Sequence, residues 1–237
     1  MNKILEKEHF SEKVVKLVVE APMIAKARKP GHFVIVICEE HGERIPLTIA
    51  DADTERGTIT LVIQAIGLST QKICAKEPGE YLADVVGPLG QPTHISKFGT
   101  VVCCGGGVGV APLLPIIKAM KAAGNRVITV LAARTKDLII LEDQVRPWSD
   151  EVIIMTDDGS YGRQGLVTNG VEDVIQREQV DMVVTIGPAI MMKFVSLLTA
   201  KYKVPTMASL NTIMVDGTGM CGACRITVGG KTRFVCV

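Results

Sequence analysis

The spacing of hydrophobic positions changes rhythm twice along the chain. From Ile4 to about Lys97, β-branched runs are cut by Pro and Gly: VVKLVVEA (14–21), GHFVIVIC (31–38), ERIPLTIA (43–50) and GTITLVIQAI (57–66). Such runs read as strands, and their spacing predicts a closed or nearly closed antiparallel β-barrel. A short helix over 69–75 interrupts them. From Gly99 to about Leu210, apolar strands over 101–104, 126–133, 151–158, 181–187 and 204–210 alternate with helical segments over 110–123, 164–177 and 188–202. A looser helical stretch lies near 136–148. Strands that are apolar throughout, separated by helical crossovers, predict a doubly wound parallel sheet covered on both faces. From Asn211 the chain is short of strands, rich in Gly and carries clustered cysteines. The expected class is β followed by α/β, in three parts: 1–97, 98–210 and 211–237.

Composition narrows the choices. A hydrophobic fraction of 47% and a mean hydropathy of +0.31 allow a large aliphatic core. With 26 basic and 25 acidic residues the net charge is +1, which leaves no electrostatic footprint for nucleic acid. The first ten residues mix charge and apolar positions, unlike a signal peptide. The most apolar stretch, 100–120, is broken by four glycines and two prolines and fits a strand–turn–helix better than a membrane span. Seven cysteines, an odd number lying mostly in apolar runs, point away from a disulfide framework. A cytoplasmic, reducing location is expected, with the clustered cysteines as metal ligands.

Three turn-rich loops fall at the carboxyl ends of strands in the 98–210 region, where a doubly wound sheet takes its ligands. The first, GGGVGVAP (105–112), follows a buried strand and opens a helix. Glycines there let the backbone approach a pyrophosphate, and the helix N-terminus supplies N–H donors and positive dipole. Its spacing, Gly107, Gly109 and Pro112, departs from the G-x-G-x-x-G fingerprint, and an unliganded glycine turn is the competing reading. Gly105 and Gly106 belong to the same loop, and GPAIMM (187–192) supplies Gly187 and Pro188. The third, TDDGSYG (156–162), offers Asp157 and Asp158 to an adenosine ribose, which favours NAD(H) over NADP; a solvated turn is the alternative, and Arg134 argues the other way. In the barrel, GLST (67–70) starts the short helix, an arrangement suited to an anion or to an ordinary N-cap at Ser69.

The last 22 residues contain Cys221, Cys224 and Cys236. Plant-type two-iron spacing is C-x4-C-x2-C with a distant fourth Cys. Here the first position is Asp216, giving D-x4-C-x2-C, eleven residues, then Cys236. Asp216, Cys221, Cys224 and Cys236 are therefore the candidate ligands of a [2Fe-2S] cluster. A Cys3Asp zinc site and unligated thiols are the alternatives, and an Asp before Gly is also an ordinary turn residue. The four remaining cysteines sit in or beside apolar segments and read as small hydrophobes.

These motifs in this order resemble the ferredoxin–NADP reductase superfamily members with an appended cluster. The chain is similar to the electron-transfer subunits of bacterial dihydroorotate dehydrogenase. It looks closer still to the small subunits of NADH-dependent reduced ferredoxin:NADP oxidoreductases, also described as sulfide dehydrogenase subunits. The likeness spans essentially all of the chain and is carried by IPLTI (45–49), GLST (67–70), GPLG (87–90), GGGVGVAP (105–112), TDDGSYG (156–162), GPAIMM (187–192) and the terminal Asp–Cys run. It implies a flavin-binding barrel, an NAD-binding α/β domain and a [2Fe-2S] segment, with FAD, NAD(H) and the cluster as cofactors. Pro46, Leu47 and Thr48 would line the flavin, and Gly67, Ser69 and Thr70 would hold the FAD pyrophosphate. The wider superfamily has R-x-Y-S at the flavin strand; its Arg and Tyr positions fall here on Ile45 and Leu47, leaving Arg44 as the substitute. Asp at the first cluster position matches the ferredoxin:NADP-type subunits, whereas the orotate-linked ones have four cysteines. The resemblance further implies electron transfer to or from a larger flavin/iron–sulfur subunit, ferredoxin reached through that partner, and no membrane. It also places a few dozen further residues after the last cysteine in family members. A nucleotide-binding sensor with structural zinc is the reading from another class.

Overall fold

A computed structural model describes residues 1–237. The chain forms two compact units, one from Met1–Thr93 together with Asn211–Val237, the other from His94–Leu210.

In the first unit, β1 (Asn2–Ser11), β2 (Val14–Glu20), α1 (Pro22–Ala27), β3 (Phe33–Ile37), β4 (Arg44–Asp53), β5 (Thr58–Gln64), α2 (Leu68–Ala75), β6 (Tyr81–Leu82) and β7 (Asp84–Leu89) follow one another. The strands pair antiparallel in the order β6-β1-β2-β5-β4-β3-β7. The two edge strands, β6 and β7, are separated in sequence by Ala83 alone, which draws the edges of the sheet together into a nearly closed barrel. Strand β5 shows why these residues choose a strand: Ile59, Leu61 and Ile63 are buried, while Thr60, Val62 and Gln64 between them are partly exposed. Each inward side chain of this kind contributes about 2 kcal/mol. One feature of β4 matters for function. It pairs with β3 from Arg44 to Thr48 but with β5 only from Ile49 onward, so the 44–48 stretch has one unpaired ladder edge.

The second unit contains β8 (Thr100–Gly106), α3 (Val110–Ala122), β9 (Arg126–Ala133), α4 (Glu142–Val145), β10 (Glu151–Thr156), β11 (Arg163–Gln164), α5 (Val167–Arg177), β12 (Met182–Ile186), α6 (Ala189–Lys201) and β13 (Thr206–Ala208). All pairs are parallel, in the order β11-β10-β9-β8-β12-β13. Val101, Val102, Cys103 and Cys104 are fully buried in succession, as a strand covered on both faces requires. The loose helical stretch resolves into α4 flanked by single 3-10 turns at Lys136–Leu138 and Arg146–Trp148. Strand β10 stops at Thr156 rather than running on to Asp158, because the Asp158 carboxylate folds back onto Ser160 and makes a turn.

The chain then returns to the first unit and ends in an antiparallel hairpin, β14 (Arg225–Val228) and β15 (Lys231–Phe234). Gly229 and Gly230 at its tip both have positive φ, the requirement of a type I′ turn.

Candidate functional site

The sheet order fixes where a ligand can enter the second unit. The chain runs from β8 outward to β9 and β10 on one side, and from β12 to β13 on the other, so the topological switch lies between β8 and β12. Clefts in doubly wound sheets open at this point, beyond the carboxyl ends of the strands. Two of the loops expected from the sequence meet there, since Gly105 pairs with Ile186 in the register of β8 and β12. The glycines serve two purposes. A Cβ on Gly106 would lie 2.4 Å from Met191 Sδ, one on Gly109 would lie 2.6 Å from the Ile186 carbonyl oxygen, and one on Gly187 would lie 2.7 Å from Met191 Cε. These three positions let the loops press together. Gly107 is different: its φ is +54 and a Cβ there would meet nothing within 4 Å. The turn is thus closed beneath and open at Gly107, which begins a single 3-10 turn (Gly107–Gly109) leading into α3; the Val110 amide donates to the Gly107 and Val108 carbonyls, so the donors this N-terminus leaves open lie in the 3-10 turn itself. Pro112 occupies the first turn of α3, where its missing N–H costs nothing. A tight glycine turn, an open approach and a thirteen-residue helix N-terminus fit a dinucleotide pyrophosphate.

The neighbouring edge carries the acidic pair. The Asp157 and Asp158 amides donate to the Ala133 and Arg134 carbonyls, holding the end of β10 beside the end of β9. The Asp158 carboxylate accepts from the Ser160 hydroxyl and amide at 2.6 and 3.0 Å, and these bonds hold it below the usual carboxylate range. Asp157 is exposed. Lys136 also belongs to this corner, with its Nζ 5.5 Å from the Tyr161 ring centroid.

In the first unit, Pro46, Leu47 and Thr48 are half-buried on the stretch of β4 with the unpaired edge. Gly67 forms the N-cap of α2. The Thr70 hydroxyl accepts from the Gly67 and Ile66 amides at 3.0 and 3.2 Å and donates to the Gly67 carbonyl, so Thr70 closes the cap from within. The Ser69 hydroxyl donates to the Glu43 carboxylate. A carboxylate beside that hydroxyl opposes a phosphate, which leaves the first-turn amides of α2 as the fixed anion donors. An open ladder edge next to a helix N-terminus fits a flavin nucleotide. Sequence reasoning missed Glu43, since nothing local ties it to Ser69 across 26 residues.

The cysteine segment lies on the same unit. Cys224 and Cys236 are buried with their sulfurs 3.1 Å apart, well beyond a disulfide bond length. Burial raises the Cys236 thiol to about 11, helped by its bond to Cys224 and by the nearby Asp216 charge. The Asp216 carboxylate accepts from the amides of Thr218 at 2.7 Å and Cys221 at 2.8 Å, and the Thr218 bond chiefly lowers its pKa. Cys221 is exposed, and no three acidic, Cys or His side chains converge at metal-holding distance. The structure therefore brings Cys224 and Cys236 together and ties Asp216 to the backbone of Cys221. Gly217, Gly219 and Gly222, all with positive φ, wind the loop around these groups. An ionised carboxylate, an exposed cysteine and Cys224 in one glycine loop, with Cys236 brought back to Cys224 by the β14–β15 hairpin, make a donor set suited to an iron–sulfur cluster.

Comparison with known proteins agrees with this geometry. Residues 103–197 match the oxidoreductase NAD-binding domain family. Residues 211–237 match the iron–sulfur cluster binding domain of dihydroorotate dehydrogenase B. A dihydroorotate dehydrogenase B (NAD(+)) electron transfer subunit homolog of Thermotoga maritima is 46% identical over 237 residues, covering 100% of this chain and 84% of that protein. The dihydroorotate dehydrogenase B (NAD(+)) electron transfer subunit of Desulforamulus reducens is 32% identical, covering 88% of this chain and 81% of its own. Among solved structures, one of the NADH-dependent reduced ferredoxin-NADP oxidoreductase superposes with a TM-score of 0.95 at 43% identity, covering 100% of this chain and 85% of that one. The fold is that of the ferredoxin reductases, and its cofactors are FAD, an iron–sulfur cluster and NAD(H). An apolar barrel strand with one open edge, a glycine cleft at the switch point and a cysteine loop on the barrel thus mark one lineage: the chain belongs to the family of dihydroorotate dehydrogenase B-type electron transfer subunits, the electron-carrying subunits of NAD-linked oxidoreductases.

Proposed function

We propose that this chain is the NADH-reacting electron-transfer subunit of a ferredoxin:NADP-type oxidoreductase, working in the cytoplasm with a larger flavin/iron–sulfur subunit that contacts ferredoxin. The bound cofactors supply the redox chemistry, linking a two-electron nicotinamide through a flavin to a one-electron cluster. The chain supplies position. Gly105, Gly106, Gly107, Gly109 and Pro112 hold the dinucleotide phosphates, with Gly187 and Pro188 as the opposite wall. Pro46, Leu47 and Thr48 line the flavin, while the cap at Gly67 presents the first-turn backbone amides of α2, those of Ser69 and Thr70 among them, as the anion end of its site. Asp216, Cys221, Cys224 and Cys236 hold the cluster.

The observation that supports a ferredoxin:NADP-type assembly over an orotate-linked one is Asp216 at the first ligand position, its carboxylate already turned onto the Cys221 amide. The relatives in Thermotoga and Desulforamulus, both dihydroorotate dehydrogenase B-type subunits by name, favour the orotate-linked reading. Purification of the chain with its native partner separates the two. NADP reduction driven by NADH and reduced ferredoxin is expected, with no turnover of dihydroorotate. Dihydroorotate oxidation coupled to NAD instead sinks the ferredoxin assignment, and a colourless preparation containing zinc sinks both.

Asp157 is the carboxylate we assign to the adenosine ribose, since Asp158 is held by Ser160. Asp157→Ala is expected to raise the NADPH-to-NADH ratio of kcat/KM roughly tenfold, the effect of removing about one kcal/mol of hydroxyl bonding and some repulsion of a 2′-phosphate. Steady-state diaphorase kinetics with both nucleotides read it directly. An unchanged ratio removes Asp157 from the ribose site.

A further inference from the structure

We infer that Arg44 is a positioning residue that clamps the cysteine segment onto the flavin strand. The inference rests on the reading of 211–237 as a cluster segment, and it is carried by one long-range bond. Arg44 is the first residue of β4, two positions before Pro46. Its Nε donates to the Val215 carbonyl at 2.5 Å, a contact between residues 171 apart in sequence. Val215 immediately precedes Asp216. The neighbouring carboxylate that could compete for the guanidinium, Glu43, accepts from Ser69 instead. The side-chain hydrogen bond of Arg44 therefore goes to the loop that begins the ligand run, and not to the flavin end of the strand.

Apolar packing alone does not explain how that loop is held in register. Phe33 and Ile35 of β3 pack with Met214, Cys224 and Cys236, with Leu89 of β7 alongside. That burial is non-directional and tolerates sliding. Two features remove the slack. Gly217 lies so close to the barrel that a Cβ would sit 2.8 Å from Leu89 Cδ1. The Arg44 bond is charge-assisted and directional, and it fixes the one carbonyl between the apolar anchor Met214 and the carboxylate Asp216. The strand that would line the flavin and the loop that would hold the cluster are thereby fixed in register at the Val215 peptide, on top of the apolar contact and the close approach of Gly217.

Hydrogen exchange read by mass spectrometry on the purified full chain tests the clamp. In Arg44→Ala, amides over 214–222 should exchange roughly tenfold faster, the effect of losing one charge-assisted bond, while those of β2 and β5 stay as in the wild type. Arg44→Lys guards against a barrel that fails to fold. It keeps the charge and the stem but puts a carbon where Nε stands, and the same local acceleration is expected. Unchanged exchange over 214–222 in both variants, or acceleration spread equally over β2 and β5, overturns the clamp. Iron and acid-labile sulfide are measured on the same samples. Their absence from the wild type refutes the cluster reading, whereas the clamp is decided by exchange alone, so the two failures are told apart.

Discussion

Gly109→Ala should weaken NADH binding by roughly a hundredfold while leaving the barrel unit intact. The backbone at Gly109 has a φ of −63, which any residue adopts, so the effect is purely steric. The added Cβ would lie 2.6 Å from the Ile186 oxygen, 2.8 Å from Gly187 Cα and 2.9 Å from the Ile186 carbonyl carbon. All three are backbone atoms at the end of β12, and none can rotate away as a side chain would. The two loops must separate, and weakening one or two hydrogen bonds to a charged phosphate, about 1.5–3 kcal/mol each, is a roughly hundredfold loss of affinity. Overpacking of this kind costs about 1–3 kcal/mol of stability as well. Fluorescence titration with NADH, with a melting curve on the same sample, measures both. Gly107→Ala is the matched control, since its Cβ enters open space where the ligand is expected. It should impair binding with a smaller loss of stability, set by the positive φ of 54. If Gly109→Ala binds NADH as tightly as the wild type, the paired loops do not form the nucleotide cradle.

The same loops show what the sequence makes legible. RVITVLAA predicts a strand over 126–133, and β9 has those bounds. The glycine turn after β8 was readable because a buried strand, a turn and a helix are consecutive, so the signal is local. Long-range partners leave no such trace. Arg44 and Val215 are 171 residues apart, and Ser69 meets Glu43 across 26. Neither pair has a periodicity to detect. Strand β1 was obscure for another reason: of its ten residues only Ile4 is buried, so the two-residue alternation that marks a half-buried strand is missing. The β14–β15 hairpin exposes Arg225, Thr227, Val228 and all four residues of β15, so no buried face gives its strands an apolar alternation. The docking of the cysteine segment against Phe33, Ile35 and Leu89 lies beyond any local pattern, since each participant is an ordinary apolar residue in its own segment.

Cys224→Ala should abolish the iron–sulfur chromophore, lowering iron per chain at least about tenfold, because a ligand set rarely survives the loss of a buried thiolate. Cys224 is 1% exposed and its sulfur faces that of Cys236, so no water or outside thiol can easily replace it. Binding free energy at such a site is also folding free energy. The 211–237 segment should therefore loosen while the barrel core around Leu17, Ile59 and Leu61, which belongs to a separate apolar cluster, holds. Asp216 behaves differently because its carboxylate is already satisfied by two amides. Asp216→Cys should keep the cluster and change its absorption spectrum and reduction potential, since a thiolate replaces an oxygen ligand and the two amide bonds are rearranged. Asp216→Ala, which removes the ligand outright, should lose iron. Three measurements on the same samples, iron content, visible absorption and potential, separate the possible roles. Iron lost in Cys224→Ala but unchanged, with an unchanged spectrum, in both Asp216 variants would reduce Asp216 to the turn residue that its bonds to Thr218 and Cys221 also describe. Iron lost in Asp216→Ala, together with iron retained and a shifted potential in Asp216→Cys, makes the carboxylate a ligand and the residue that tunes the electron exit of this subunit.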